Sequence, residues 1–138
     1  MRQIERIIIH CSATKAGQAF TVEDVRRWHH ERGFFDVGYH YVVLLDGTVQ
    51  QGRPLECVGS HCQGYNITSI GICYIGGLDA AGKPADTRTM AQREALSALV
   101  SQLRKRFPRA AVYGHRDFAR RDCPCFDAHK EYDNETNS

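Results

Sequence analysis

The chain has 138 residues, a length that suits one domain with a single hydrophobic core. Its 42% hydrophobic and 25% charged residues are typical of a soluble globular protein, and a net charge of +2 is too small for a dedicated nucleic-acid-binding protein. No apolar run approaches the roughly 20 residues of a membrane-spanning helix. We therefore expect no membrane partner.

The chain begins with the pattern of a buried strand followed by an amphipathic helix. The apolar run 4–10 predicts a strand that carries His10 at its tip. Residues 21–24 resemble a capping box, which predicts a helix that ends at Gly33. The apolar side of this helix carries Val22, Val25 and Trp28.

The middle of the chain predicts a hairpin and a further buried strand. Residues 39–45 have strand character, Asp46-Gly47 is a hairpin turn, and 48–51 form the returning strand. The polar, glycine-containing segment 59–69 predicts a loop, and 70–75 predict a short buried strand. If 39–45 is regular, its side chains alternate between two faces. One face then carries Tyr39, Tyr41 and Val43, and the other carries His40, Val42 and Leu44.

The last third predicts a loop, a helix and a strand. A loop at 79–88 leads to a capping box at 89–92, and apolar residues then follow at helical spacing. The basic residues 104–106 complement the helix dipole in the last turn, and Pro108 prevents further helix. Residues 110–115 predict a final strand that ends in His115.

The alternation of strands and helices, with one hairpin, predicts a single-domain α/β fold with a mixed central β-sheet flanked by helices. We expect the folded domain to span 1–132, followed by a polar tail at 133–138. In such sheets the strand ends and the loops that follow them form the binding cleft. Both His10 and His115 lie at predicted strand ends.

These two histidines and a nearby cysteine have the composition of a catalytic zinc site. Two imidazoles and one thiolate fill three positions around Zn²⁺ and leave the fourth for water. Cys123 and Cys125 are both available, so the residues alone leave the ligand cysteine open. The chain has no C-x-x-C pair, which argues against a four-thiolate structural site.

The other histidines and cysteines have ordinary interpretations. His29 and His30 are expected on the solvated surface of the first helix. Six cysteines are compatible with disulfides, but residues 1–6 lack the apolar stretch of a signal peptide. We therefore expect synthesis in the cytoplasm and free thiols.

Six sequence blocks resemble, in the same order, the zinc N-acetylmuramoyl-L-alanine amidases of the peptidoglycan-recognition family. The likeness covers residues 4–128 and is closest to the small coliphage endolysins of that family. The blocks are IIHCSATK (8–15), DVGYHY (36–41), DGTV (46–49), GSHCQGYN (59–66), SIGIC (69–73) and CPCFD (123–127).

The resemblance implies an active site with one Zn²⁺ per chain. It places the zinc ligands at His10, His115 and Cys123 and a catalytic tyrosine at Tyr39. Arg121 stands where the phage enzymes have a lysine. Because arginine is effectively never deprotonated, we expect Arg121 to stabilise negative charge rather than transfer a proton.

The implied reaction is hydrolysis of the amide between N-acetylmuramic acid and L-alanine in peptidoglycan, with His61 and Asn66 in contact with the substrate. The implied enzyme is a monomer that acts on the cell wall after release from the cytoplasm. One alternative is a module that binds peptidoglycan without cleaving it, against which the complete ligand set argues. Another is a polymerase-regulating protein with secondary amidase activity, which the residues leave open.

Overall fold

A five-stranded sheet forms the centre of the protein in the computed structural model, which describes residues 1–133. Two further short strands pair with each other beside it. The strands are β1 (Arg6–Cys11), β2 (Thr14–Lys15), β3 (Tyr41–Val43), β4 (Val49–Gln51), β5 (Ser69–Tyr74), β6 (Gly77–Leu78) and β7 (Ala111–Gly114). The helices are α1 (Val22–Glu31), α2 (Met90–Arg106) and α3 (Ala128–Tyr132).

The sheet is mixed, as predicted. Its strand order is β4-β3-β5-β1-β7, in which neighbouring strands from β3 to β7 are parallel. The edge strand β4 is antiparallel to β3, with Val43 opposite Val49 across the predicted Asp-Gly turn. The hairpin is therefore confirmed, although both of its strands are shorter than the sequence pattern indicated.

The two faces of the sheet pack against different helices. Toward α2, strand residues such as Ile9 and Ile72 form one apolar cluster with Leu96 and Val100 of that helix. Toward α1, Val42 joins a smaller cluster, together with Val22, Val25, Val37 and Ile75. Side chains alternate between the two faces along each strand. Because the apolar cluster on the α1 side is the smaller of the two, that side has room for a groove.

Both long helices begin at the predicted capping residues. The backbone N–H of Thr21 donates to the carboxylate of Asp24 at 2.9 Å. Thr89 and Gln92 form a reciprocal box, since each backbone N–H donates to the side chain of the other at 2.9 and 3.0 Å. These bonds satisfy donors that lack partners within the first helical turn.

The predicted sharing of one face by Tyr39, Tyr41 and Val43 is wrong. Tyr41 and Val43 pack on the α2 side, whereas Tyr39 packs with Val42 on the α1 side. Regular strand geometry begins only at Tyr41. The two-residue alternation therefore does not extend back to Tyr39.

Among the strands and α-helices of residues 1–133, three short elements were not predicted: β2, β6 and α3. The first two pair only as Thr14 with Gly77 and Lys15 with Leu78, and α3 has five residues. Tertiary contacts, rather than a long periodic pattern, fix such elements. Of the predicted tail at 133–138, only Asp133 is described; its carboxylate accepts from the backbone N–H of Val112 at 2.9 Å. Residues 134–138 lie outside the described part of the chain.

Across residues 1–133, no helix combines the length and the apolar character needed to cross a membrane.

Candidate metal centre and groove

A groove of about 820 Å³ opens on the α1 side of the sheet, beside the end of β1. One wall comes from α1, a second from the loop that contains His61, and a third from the segment between His115 and Cys123. Among residues 1–133, two arginines, Arg32 and Arg121, line the groove, and none of the lining residues is acidic. The groove therefore favours a ligand that carries negative charge.

Three potential metal ligands converge at the floor of this groove. The ligand atoms of His10, His115 and Cys123 all lie within 4.8 Å of one another. Nδ1 of His10 is 3.2 Å from Nδ1 of His115. Two nitrogens bound to one tetrahedral zinc ion stand about 3.3 Å apart, given Zn–N bonds of about 2.05 Å. The spacing therefore fits zinc.

Strand register explains why two residues 105 positions apart meet. In the parallel pair of β1 and β7, Ile9 lies opposite Gly114, so the next residue of each strand reaches the same edge of the sheet. His10 is the fifth residue of β1 and is 1% exposed. His115 immediately follows β7 and is half-buried. The predicted position of both histidines at strand ends is confirmed.

Backbone contacts bring Cys123, rather than Cys125, to the histidines. The N–H of Arg116 donates to the carbonyl of Cys123 at 2.8 Å, and the buried hydroxyl of Tyr74 donates to the carbonyl of Pro124 at 2.7 Å. Cys125 turns away, with its Sγ 3.3 Å from the carbonyl oxygen of Gly77. Within residues 1–133, Cys125 is outside the metal-ligand cluster.

The surroundings favour the protonation states that a metal requires. Burial lowers the pKa of His10 well below its usual value, and the neighbouring His61, His115 and Arg121 lower it further. Burial, followed by the charge of Arg121, also lowers the pKa of His115. Both rings are therefore neutral at neutral pH, and a neutral imidazole is the form that binds metal. The backbone N–H of Cys11 donates to Sγ of Cys123 at 3.1 Å.

The ring of Tyr39 lies beside the cluster. Its ring centroid is 5.1 Å from that of His10. Burial, followed by the neighbouring Cys73, raises the pKa of Tyr39 well above its usual value, so the hydroxyl keeps its proton. His40 instead accepts from the backbone N–H of Gly71 at 3.0 Å and is absent from the described groove lining. Of these two neighbouring residues only Tyr39 lines the described groove, although both precede the regular strand.

Arg121 lines the groove as an exposed side chain, whereas Arg120, within the same described segment, does not line it. The positive charge of Arg121 lowers the pKa of both His10 and His115, so it acts on both rings. The cluster therefore has one permanent positive charge beside it.

Comparison with known proteins identifies the fold and the family. The family model for N-acetylmuramoyl-L-alanine amidase matches residues 1–126. The chain belongs to this amidase family. It is 45% identical to the endolysin of Klebsiella phage KP32 over 126 residues, which are 91% of this chain and 83% of that protein. It is 44% identical to the endolysin of Escherichia phage T7 over 123 residues, 89% of this chain and 82% of that protein.

A solved structure supports the same assignment. The N-acetylmuramoyl-L-alanine amidase LysC from Clostridium intestinale has a TM-score of 0.80 at 26% identity, over 94% of this chain and 82% of LysC. The predicted α/β fold and family are therefore confirmed, and the chain is an amidase.

In this amidase, His61 and Asn66 both line the groove, and both also make internal hydrogen bonds. Oδ1 of Asn66 accepts from the backbone N–H groups of His61 and Cys62, each at 2.9 Å. Nδ1 of His61 is 2.8 Å from Nε2 of His10. The His61 ring lies over Gly71, where an added Cβ would come within 2.6 Å of ring atoms.

The prediction that His29 is solvated surface is wrong, whereas His30 is exposed as predicted. His29 is 7% exposed and lines the groove of the amidase, and its Nδ1 accepts from the backbone N–H of Gly38 at 2.8 Å. Burial, with the charges of Arg32 and Arg53, lowers its pKa to about 4. Its position could have been found from helical spacing, because Val22, Val25 and His29 share one buried face.

Proposed function

We propose that the chain is a zinc-dependent amidase that hydrolyses the bond between the lactyl group of N-acetylmuramic acid and L-alanine in peptidoglycan. We extend the proposal to bacterial lysis, because the phage relatives are named endolysins. The observation that carries it is the meeting of His10, His115 and Cys123 within 4.8 Å at the floor of a groove that Tyr39 and Arg121 also line.

The donor set suits zinc better than a hard cation. Two neutral imidazoles and one thiolate are preferred zinc ligands, and three of them leave a coordination position open, as catalytic sites do. We therefore propose His10, His115 and Cys123 as the residues that hold the ion. When bound, zinc supplies Lewis acidity that activates water and polarises a carbonyl group.

The side chains around the cluster stabilise the charge that develops during amide hydrolysis. Attack on the scissile carbonyl places negative charge on its oxygen, and donors fixed in advance lower the energy of that state. The Tyr39 ring lies 5.1 Å from that of His10 and its hydroxyl keeps its proton, so we propose that this hydroxyl donates to the attacking water or to the carbonyl oxygen. Arg121 contributes a permanent positive charge and does not transfer a proton.

The rest of the groove suits an anionic glycopeptide. Trp28, Phe34 and Phe118 provide aromatic surface in its lining, and Arg32 adds a second cation on the α1 side. Peptidoglycan combines sugar rings with a peptide that carries carboxylates. We propose that His61 and Asn66, on the opposite wall, contact this substrate as the sequence resemblance implies.

The test measures metal content and bond specificity on the same preparation. Purified protein is expected to contain one zinc per chain and to release new L-alanine amino termini from a cell-wall suspension, with glycan reducing ends unchanged. A strong chelator should remove both the metal and the activity, and added zinc should restore both. Reducing ends without free amines would overturn the reaction class, and full activity of metal-free protein would overturn the zinc dependence.

A further inference from the structure

The two ring nitrogens of His10 face different neighbours. Nδ1 points into the ligand cluster, 3.2 Å from Nδ1 of His115. Nε2 points away from the cluster and lies 2.8 Å from Nδ1 of His61. Because the His10 ring is 1% exposed, its hydrogen bonds depend on these protein neighbours rather than on bulk water.

The hydrogen bonds continue from His61 to a buried hydroxyl. Nε2 of His61 is 3.2 Å from Oγ of Ser69, and Ser69 is fully buried. Both ring nitrogens of His61 are therefore engaged inside the protein. Any contact between this ring and the substrate would therefore use its carbon atoms rather than its nitrogens.

Several neighbours fix the His61 ring in this orientation. The Asn66 side chain accepts from two successive backbone N–H groups, starting with that of His61, and so holds the loop. Gly71 leaves space for the ring, since a Cβ there would approach within 2.6 Å. The guanidinium of Arg2 donates to carbonyls at 66, 67 and 69 and ties the same loop to the N-terminus. The contact with His10 is therefore built into the fold.

The direction of the hydrogen bonds follows from what a metal requires. A neutral imidazole carries its proton on one nitrogen only, and the ligand nitrogen must be the other. If Nδ1 of His10 binds the metal, Nε2 carries the proton and donates to Nδ1 of His61. His61 then carries its own proton on Nε2 and donates to Ser69. Metal-binding histidines are commonly oriented by a partner of this kind.

We propose that His61 is a positioning residue that, backed by Ser69, accepts a hydrogen bond from Nε2 of His10 and so keeps Nδ1 of His10 free to bind the metal. This inference rests on the proposed zinc function. It assigns His61 a role that acts through His10, in addition to any contact between its ring and the substrate.

The first test compares two substitutions that differ in the acceptor. His61→Leu fills space without an acceptor, whereas His61→Asn places an amide oxygen near the position of Nδ1. In chelator competition, His61→Leu should weaken zinc binding by about 10–100-fold, whereas His61→Asn should recover most of the affinity. Ser69→Ala, which removes only the outer partner, should lower the affinity less than His61→Leu does.

The second test reads the tautomer of His10 directly in the metal-free protein. Long-range ¹H–¹⁵N correlation spectra distinguish a proton on Nε2 from one on Nδ1. Wild-type protein and His61→Asn should show His10 protonated at Nε2, and His61→Leu should show a mixture. This readout requires neither bound zinc nor activity. If the wild type binds no zinc, the proposed function fails, whereas the tautomer experiment still decides the present inference.

Two results would overturn the inference. One is a proton on Nδ1 of His10 in metal-free wild-type protein. The other is unchanged zinc affinity in His61→Leu together with a raised KM and an unchanged kcat, which would assign His61 to substrate contact alone. Thermal unfolding of the metal-free variants serves as the control, because a purely structural defect lowers stability without moving the tautomer of His10.

Discussion

Alternation along β1 and β5 places Ile9 and Ile72 against α2 and directs their neighbours His10 and Gly71 toward the groove side. In β1, Ile9 is buried on the α2 side, and the next residue, His10, reaches the ligand cluster. In β5, Ile72 is buried on the α2 side, and its neighbour Gly71 lies under the His61 ring. In each strand, one residue therefore packs in the core on the α2 side, and the next residue faces the groove on the α1 side.

This difference shows how a rigid scaffold and a polar site can share the same backbone. Buried apolar side chains each contribute about 1.5–3 kcal/mol when removed from water, and the α2 side collects most of them. The α1 side buries fewer apolar side chains, because histidines, a tyrosine and an open groove occupy part of it. Substitutions on the two faces should therefore separate stability from chemistry.

The largest effect is expected from removal of a proposed zinc ligand. His10→Ala, His115→Ala or Cys123→Ala should abolish zinc retention and reduce activity to the level of metal-free protein, because two ligands cannot hold a catalytic ion. Metal content and release of L-alanine amino termini are the measurements.

Cys125→Ser is the matched control for these variants. Cys125 is two residues from Cys123, but its sulfur contacts Gly77 and Cys11 rather than the histidines. This variant should therefore keep both zinc and activity. Stoichiometric zinc with full activity in Cys123→Ala would refute the ligand assignment.

Adjacent residues of β5 provide a direct test of the difference between the two faces. Ile72→Ala should lower the free energy of unfolding by about 2–5 kcal/mol, with little change in the activity of folded molecules. Gly71→Ala should instead displace the His61 ring and lower activity by about 10²-fold, since a small misplacement near the site is costly. Denaturant unfolding and turnover would be measured for both. Equal effects of the two variants on turnover would show that the faces are coupled.

The parts of the fold that long periodic patterns specify could be predicted from the sequence. The apolar run that ends in His10 predicted β1, and the capping box at Thr89 predicted the start of α2. The Asp-Gly pair predicted the β3–β4 hairpin. Strand ends also indicated that His10 and His115 could meet, although the register that joins them depends on the pairing of Ile9 with Gly114.

Features set by distant contacts could not be predicted. The residues by themselves leave Cys123 and Cys125 equivalent, and only the family resemblance points to Cys123; in the structure the choice depends on the hydroxyl of Tyr74 and on the backbone of Arg116, which fix the loop from other elements. Tyr39 changed face because the regular strand begins two residues later than its pattern suggests. His29 is buried because it lies on the same helical face as Val22 and Val25, a position that its polarity alone does not indicate.

An effect of similar size on turnover, without the change in zinc content expected for the ligand variants, is expected at Arg121, on the exposed side of the site. Arg121→Ala should lower turnover by about 10²-fold, because one fixed positive charge beside the developing oxyanion is lost. Zinc content should stay unchanged, since Arg121 is not among the clustered ligands. Arg121→Lys should keep substantial activity, with some loss because an ammonium lacks the planar guanidinium fork. Arg120→Ala is the control and should have wild-type turnover, because Arg120 does not line the groove. Wild-type turnover in Arg121→Ala would show that Arg121 has no role in the mechanism.

The smallest effect concerns a buried charge on the α2 side, away from the groove. The fully buried side chain of Arg88 forms ion pairs with Asp86 at 2.9 Å and with Glu131 of α3 at 2.6 Å. Its guanidinium carbon lies 3.3 Å from the ring centroid of Phe126. Arg88 therefore joins α3 to the loop before α2, and the hydrogen bond from Arg88 holds the pKa of Glu131 below its usual value of 4.5.

Since the pKa of Glu131 is lower in the folded chain than in the unfolded chain, the ion pair stabilises the fold above about pH 4.5. That stabilisation should disappear as the pH falls through the lowered pKa of the folded state. Glu131→Gln should therefore reduce the melting temperature at neutral pH and approach the wild-type value once the pH falls below the lowered pKa of Glu131, where both chains carry an uncharged side chain at this position. Melting curves of the metal-free proteins across this range provide the measurement, so that protonation of zinc ligands does not contribute. A difference between the two proteins that stays constant with pH, or widens in acid, would show that the charge of Glu131 does not stabilise α3.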